Sequence, residues 1–369
     1  MYRALLFCAV LLESGCGRIG MDTLDGSVPD ARGVDAAPVE EPMIDPPDAS
    51  PDAAIDASVP DATPDAAVVP SELLMVHLST TAPFGPAAVS ETFAYRPSED
   101  RWVNMDLSPS THVAHNMVFY GGELLFLGGT DQLEVLDDAA RGRGAGDLEA
   151  LRDVLVDPLI YSEAVVFDGA VWLFGGRVTN EVTGYTDRIY RSRDGVVWEV
   201  VGTLPEPLQH HAVAVHAGRL ILAGGVRAGN VTTDNTYVSD DGISWQAGGA
   251  LPRTIGDGNL VSFRGRLLLL GGFGNDRPNA IAVSDDHGAT WIDSGTIPEA
   301  RMMSAAVVYD DEIWLLSGVQ DLTAFPVIPR QEVWSSPDGW SWNARASLPI
   351  EAVATEAVVA TETAALLPW

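Results

Sequence analysis

Val213-Ala214-Val215-His216-Ala217-Gly218-Arg219-Leu220-Ile221-Leu222-Ala223-Gly224-Gly225 reads as two short apolar strands around a tight Ala217-Gly218 turn, closed by a glycine pair. The closing pair is the informative part. It recurs at Gly128-Gly129, Gly175-Gly176 and Gly271-Gly272, so the first glycine advances by 47, 49 and 47 residues, and Ser317-Gly318 follows 46 later. A tryptophan trails each pair by about 20 residues: Trp198, Trp245, Trp291 and Trp342. Two markers that keep one phase while the sequence between them drifts define an internal repeat. A repeat of this length built from short strands is the signature of β-propeller blades, so the expected fold is all-β with four-stranded antiparallel blades.

Each repeat parses alike. In the third, Val213-Ala214-Val215 is a first strand, Arg219 to Ala223 a second, Thr236-Tyr237-Val238 a third, and Trp245 opens a fourth. Val165-Val166-Phe167, Val171 to Phe174, Arg188-Ile189-Tyr190 and Trp198 repeat that order, with turn dipeptides such as Asp168-Gly169 and Arg264-Gly265 between the first two strands. The tryptophans read as packing between blades. At the C-terminus, Glu356 to Leu367 aligns on the first two strands of a blade, and Pro368-Trp369 stands where the glycines would be. The missing half is expected near the start of the domain, with Thr92 to Arg96 as third strand and Arg101-Trp102-Val103 as fourth. Pairing of the two terminal segments gives six blades and a ring without an exposed edge. Two stretches fit less well: Leu73 to Leu78 is an extra strand candidate, and Leu133 to Asp157 lacks a tryptophan and reads as an insertion, helical through Asp147 to Leu155.

The 369 residues carry a formal net charge of −31 and a pI near 4.3, which excludes a nucleic-acid partner, since a polyanion is repelled at long range. Residues 1–16 read as an export signal: Arg3, an apolar run from Ala4 to Leu12, then Ser14-Gly15-Cys16. The segment resembles a bacterial lipoprotein signal, which implies lipidation of Cys16, a cell-envelope location and membrane contact through the lipid anchor alone. Glu13 stands where that signal prefers Leu, and periplasmic location or plain secretion is the other reading. Residues 17–70 collapse to Asp, Ala, Pro and Val, with Pro-Asp-Ala starting at Pro29, Pro47, Pro51, Pro60 and Pro64. Such a tract cannot bury enough apolar surface to offset its ordering entropy, so a disordered, extended stalk is expected ahead of a propeller at 71–369. The only two cysteines, Cys8 and Cys16, lie inside the signal, leaving the mature domain no internal disulfide.

Glycine pairs after strand two and tryptophans in strand four resemble kelch repeats over residues 73 to 369. The turn Ser284-Asp285-Asp286-His287-Gly288-Ala289-Thr290-Trp291 is similar to the Asp-box of sialidase-type propellers, with shorter versions at Ser192-Arg193-Asp194-Gly195, Ser239-Asp240-Asp241-Gly242 and Ser336-Pro337-Asp338-Gly339. In such turns the Ser and Asp side chains accept backbone N–H groups, a local structural role without catalysis.

Propeller ligands sit at the mouth of the central channel. Positions 12 and 14 residues before each doublet share one strand face there, giving Asn116, Glu163, Asn259 and Glu356 with Tyr161, His210 and Asp257. Just beyond the doublets come Arg177, Arg227 and Arg277, with Arg301 ahead of the fifth blade. Guanidinium groups facing carboxylates suit a sugar acid. The catalytic candidates are Glu163, Glu356 and His210; His115 and His211 share a repeat column with Ser162 and Ser304, where a structural hydrogen-bonding role is expected. His210 and His211 point to opposite strand faces, so no metal site is expected. Among propeller relatives, copper radical oxidases require a cysteine cross-linked to a tyrosine, which the mature chain lacks. Sialidases carry an Arg-Ile-Pro motif and a Tyr-Glu nucleophile pair, neither identifiable here. The kelch family also includes periplasmic sialic-acid mutarotases, six-bladed and cofactor-free, with which the size, compartment and Arg/Glu-rich mouth are compatible, though no diagnostic motif of theirs is present. The expectation is a cofactor-free, tethered binding or interaction module for a glycan or a surface protein, with a mutarotase-like or degenerate sialidase-like enzyme as the alternative.

Overall fold

The computed structural model describes residues 73–361, apart from 80–89, 106, 108–113, 132–133, 144–147, 182, 275–276, 321–328 and 351–353. The signal, the stalk, Cys16 and the C-terminal residues 362–369 lie outside the described residues. Among the described residues there are six four-stranded antiparallel sheets and one small two-stranded ribbon, Val226–Arg227 with Val231–Thr232. No α-helix is present among them.

Blade 2 shows the plan: Glu163–Phe167, Ala170–Phe174, Arg188–Ser192 and Trp198–Thr203 pair in chain order. Blade 1 begins at Asn116–Tyr120, blade 3 at Ala212–His216, blade 4 at Asn259–Phe263 and blade 5 at Ala305–Tyr309. Their first strands adjoin one another around a closed ring, which Ala354–Thr361 completes between blades 5 and 1.

Both faces of a blade are covered, so a second strand must be apolar on both sides. Arg266–Leu270 does this with alternate leucines. Leu267 and Leu269 face Ala212, Ile221 and Trp291, while Leu268 and Leu270 face Ile313 and Leu315 of the next blade. The repeat tryptophans fill the same interfaces, Trp198 against Leu125 and Leu127 of blade 1 and Trp245 against Trp172 and Phe174 of blade 2.

The closing blade is built from both ends of the chain, in an order that corrects the sequence reading. Its strands run Ala354–Thr361, Leu73–Ser79, Ser90–Arg96 and Arg101–Asn104. The C-terminal segment therefore supplies one strand and not two, and the supposed extra strand at Leu73 to Leu78 is the second. Met75 pairs with Val359 on one side and Ala94 on the other, which fixes it centrally. A second correction concerns residues 147–155, where the expected helix is absent. Glu149–Leu151 is instead the fourth strand of blade 1, paired with Ala139–Gly142.

Glycine pairs are needed where each blade meets the next. The second glycine donates its N–H to a carbonyl on the connection into the following blade: Gly176 to Leu208 O at 2.7 Å, Gly225 to Ile255 O at 2.7 Å. That approach leaves no room at the first glycine. A Cβ on Gly175 would lie 2.5 Å from Leu208 O, and Gly175 holds φ of +54°. Ser317 takes the same place in blade 5 with φ of 55°.

Turns between third and fourth strands are pinned by side chains. Ser239 Oγ accepts from Gly242 N at 2.8 Å, and Asp241 Oδ1 accepts from Ile243 and Ser244 N at 2.8 and 2.6 Å. The N–H groups of Ser244 and Ile243 hold the Asp241 carboxylate down to about 2. Gly242 then rests on Trp172 of the preceding blade, where a Cβ would come within 2.8 Å of the indole.

Candidate functional site

First strands begin on the face where second strands end, and one left-handed residue stands just ahead of each described start. Ala114, Tyr161, His210, Asp257 and Met303 have φ between 50° and 58°. Non-glycine residues rarely hold that conformation, and strain of this kind persists only where the surroundings impose it. Here the backbone imposes it: His210 N donates to Tyr161 O at 3.3 Å, and Asp257 N donates to His210 O at 2.7 Å. Asp257 Oδ2 in turn accepts from Met303 N. A hydrogen-bonded chain thus runs from blade to blade around the mouth.

Three of its side chains form one continuous surface. The Tyr161 and His210 rings stack at 4.3 Å with 29° between planes, and His210 Nδ1 lies 3.4 Å from Asp257 Oδ1. Phe273 packs edge-on to His210 at 6.1 Å. Arg177 caps the other end, its guanidinium carbon 5.1 Å from the Tyr161 ring centre. Its backbone is fixed by reciprocal hydrogen bonds with Ile160, at 2.8 and 3.0 Å.

Arg177 is only 3% exposed, yet its side chain makes no hydrogen bond or ion pair with any described residue, and its Nε is sealed from solvent without a partner. Burying a guanidinium without an anion is costly. Polar groups missed by sequence reasoning stand beside it. Tyr185, whose backbone also bridges to Arg177, donates its hydroxyl to Asn230 Oδ1 at 2.7 Å and accepts from Gln209 Nε2 at 3.3 Å. Gln209 Oε1 is buried with no partner.

Glu163 lies two residues beyond Tyr161, on the first strand of blade 2, half-buried against the channel. Its carboxyl makes no hydrogen bond or ion pair among the described residues, and burial together with the charge of Asp257 pushes it up to about 8. Neighbouring blades show what its position is built for. Asn116 Nδ2 donates to Ser162 Oγ at 2.9 Å and Asn259 Nδ2 to Ser304 Oγ at 3.0 Å, each pair joining residues 12 and 13 before successive doublets. The same arithmetic matches Glu163 with His211. His211 departs from the hydrogen-bonding role expected for its column. It is buried with both ring nitrogens unpartnered, and burial plus neighbouring His210 hold it down to about 3. His115 packs its ring against His77 at 4.6 Å.

The structure thus brings together Tyr161, Arg177, His210, Asp257 and Glu163, with Asn116 and Asn259 bonded into the wall. Three arginines lie apart from this cluster. Arg227 is half-exposed and 4.0 Å from Glu206. Arg277 pairs at 2.9 Å with Asp293 on the fourth strand of blade 4. Arg301 is fully buried and donates to the carbonyls of Ser317 and Glu332 at 2.7 and 2.8 Å. Glu356 lies on Ala354–Thr361, and its side chain is outside the described residues.

A pH dependence follows from Glu163. A carboxyl raised by folding contributes fully below its unfolded value of about 4.3 and loses that contribution as pH climbs through its folded value. Stability should therefore decline between about pH 4 and the folded value of about 8. Glu163→Gln is expected to melt like the wild type near pH 4 and several degrees higher at about pH 9. Identical melting at both ends would contradict the burial assigned to this carboxyl.

No family model matches the sequence, and no curated protein matches it. Among solved structures, that of YjhT is similar in fold, with a TM-score of 0.59 at 13% identity, covering 73% of this chain and 97% of that one. At that identity the likeness extends to the fold alone.

Proposed function

We propose that this chain is a kelch-like propeller with Asp-box-type turns, carried to the cell envelope by a lipoprotein-type signal and tethered there by lipid on Cys16, where it binds carboxylated glycans or surface glycoproteins. One observation carries the binding reading: the buried guanidinium of Arg177, unpaired within the described chain and seated over Tyr161. Guanidinium and carboxylate match geometrically as a bidentate pair. An aromatic face beside that pair suits the apolar face of a sugar ring. Tyr161, Arg177, His210 and Asp257 form the seat in this reading, and Arg227 stands outside it. The −31 charge repels an anionic ligand at long range, so in this reading recognition has to come from local contacts at the seat.

A second reading has one specific observation in its favour. Glu163, held protonated at neutral pH beside Asp257, could donate a proton to a bound sugar while His210 accepts one, as a cofactor-free mutarotase-like or degenerate sialidase-like enzyme requires. Screening the full mature chain against a panel of acidic and neutral glycans tests the first reading. Binders should carry a carboxylate; a set of neutral binders only would overturn it. Partition of the wild type, and not of Cys16→Ser, into detergent is the expected result for the anchor.

A further inference from the structure

The mouth is electrically lopsided. Arg177 stands at one end and Asp257 at the other, with the stacked rings of Tyr161 and His210 between them, and Glu163, two residues beyond Tyr161, feels the charge of Asp257. Asp257 has partners in His210 and the Met303 N–H, whereas Glu163 has none among the described residues. Nor does any described residue pair Glu163 with a cation. Arg301 is committed to two carbonyls, Arg277 to Asp293, and Arg227 lies near Glu206. Two carboxyl groups that feel each other in a half-buried wall either share a proton or gain a positive partner from outside.

We propose that the ligand of this mouth is zwitterionic, carrying a carboxylate that seats on Arg177 and a protonated amine that seats on Glu163 and Asp257, its body lying over Tyr161 and His210. The inference rests on the reading of Arg177 as a carboxylate seat and adds the chemistry of the other end. Contacts in series separate the charges: 5.1 Å from Arg177 to Tyr161, 4.3 Å from Tyr161 to His210, and 3.4 Å from His210 to Asp257. That spacing suits a disaccharide that joins a uronic acid to an amino sugar better than a single amino acid. An arriving ammonium would stabilise the ionised form of the Glu163 carboxyl, so a free amine should be worth more here than any neutral substituent at the same carbon. N-acetylation removes the charge and adds bulk, and should weaken binding for both reasons.

Calorimetric titration of the full chain with a glucuronic acid–glucosamine disaccharide, in its free-amine and N-acetylated forms, separates the two claims. At about pH 6.5 the free amine is protonated, and it should bind at least about tenfold more tightly. Glu163→Gln should reduce that preference to near unity, while N-acetyl binding changes by less than about twofold. Asp257→Asn provides a second variant should Glu163→Gln fold poorly, and it should reduce the preference in the same direction. Equal or tighter binding of the N-acetyl form, lost in Arg177→Ala, would overturn the zwitterion and leave the carboxylate seat standing. Failure of both forms to bind would overturn the seat and the inference together.

Discussion

A chain that stops before Ala354 is expected to lose cooperative unfolding altogether. Ala354–Thr361 is the inner strand of blade 6, pairing along its length with Leu73–Ser79 and adjoining the first strands of blades 1 and 5. Its removal exposes the backbone edge of Leu73–Ser79 and opens the ring on both sides. Leu74, Met75 and Val76, each 0% exposed, pack against blade 5 through Tyr309 and Trp314 and against blade 1 through Met117 and Phe126. Those interfaces cannot survive a displaced second strand. The loss is on the order of a whole domain's stability of about 5–15 kcal/mol, so aggregation through the bare edge should replace a single thermal transition. Circular dichroism and size exclusion check this directly. A truncated protein that melts as a monomer at the wild-type midpoint would contradict closure by the two termini.

That closure was legible in the sequence as a partnership but not as a strand order. Leu73 to Leu78 has the composition of a second strand without the glycine pair that marks the others. A register shift between His77 and Leu78 also breaks the arithmetic that worked elsewhere. Residues 147–155 misled for a different reason. Leu148, Glu149, Ala150, Leu151 and Arg152 are good helix formers, and Glu149–Leu151 is largely exposed, so no burial pattern announces a strand. Pairing with Ala139–Gly142 overrides the local preference.

Repeat arithmetic located neighbouring side chains where blades are alike. Tyr161, His210 and Asp257 share one column, and the structure stacks them in that order. Spacing is blind to depth, however. It ranked Arg177 and Arg301 together, although one guanidinium stands beside the Tyr161 ring with no ion pair among the described residues and the other donates to the Ser317 and Glu332 carbonyls and lies 3.7 Å from Glu332 Oε2. Tyr185, Gln209 and Asn230 escaped notice because they lie outside the columns chosen, in connections whose sequences diverge from blade to blade. The left-handed column leaves only a faint trace, since Asp257 and His210 are residue types that tolerate positive φ while Tyr161 and Met303 are not.

The central claim, that Arg177 is a carboxylate seat, is tested most directly by a cycle crossing the protein with its ligand. The full chain and Arg177→Ala are each titrated with a uronic-acid disaccharide and with its carboxyl-reduced, neutral counterpart. Removing a buried, hydrogen-bonded charge partner typically costs about 2–5 kcal/mol, so wild type should lose roughly 30- to 4,000-fold in affinity when the carboxyl is reduced. Arg177→Ala should lose as much for the acid and almost nothing for the neutral sugar. The two losses should overlap, leaving a coupling of about 2 kcal/mol or more. Additive losses, with the acid still preferred by Arg177→Ala, would contradict the account and place carboxylate recognition elsewhere on the propeller.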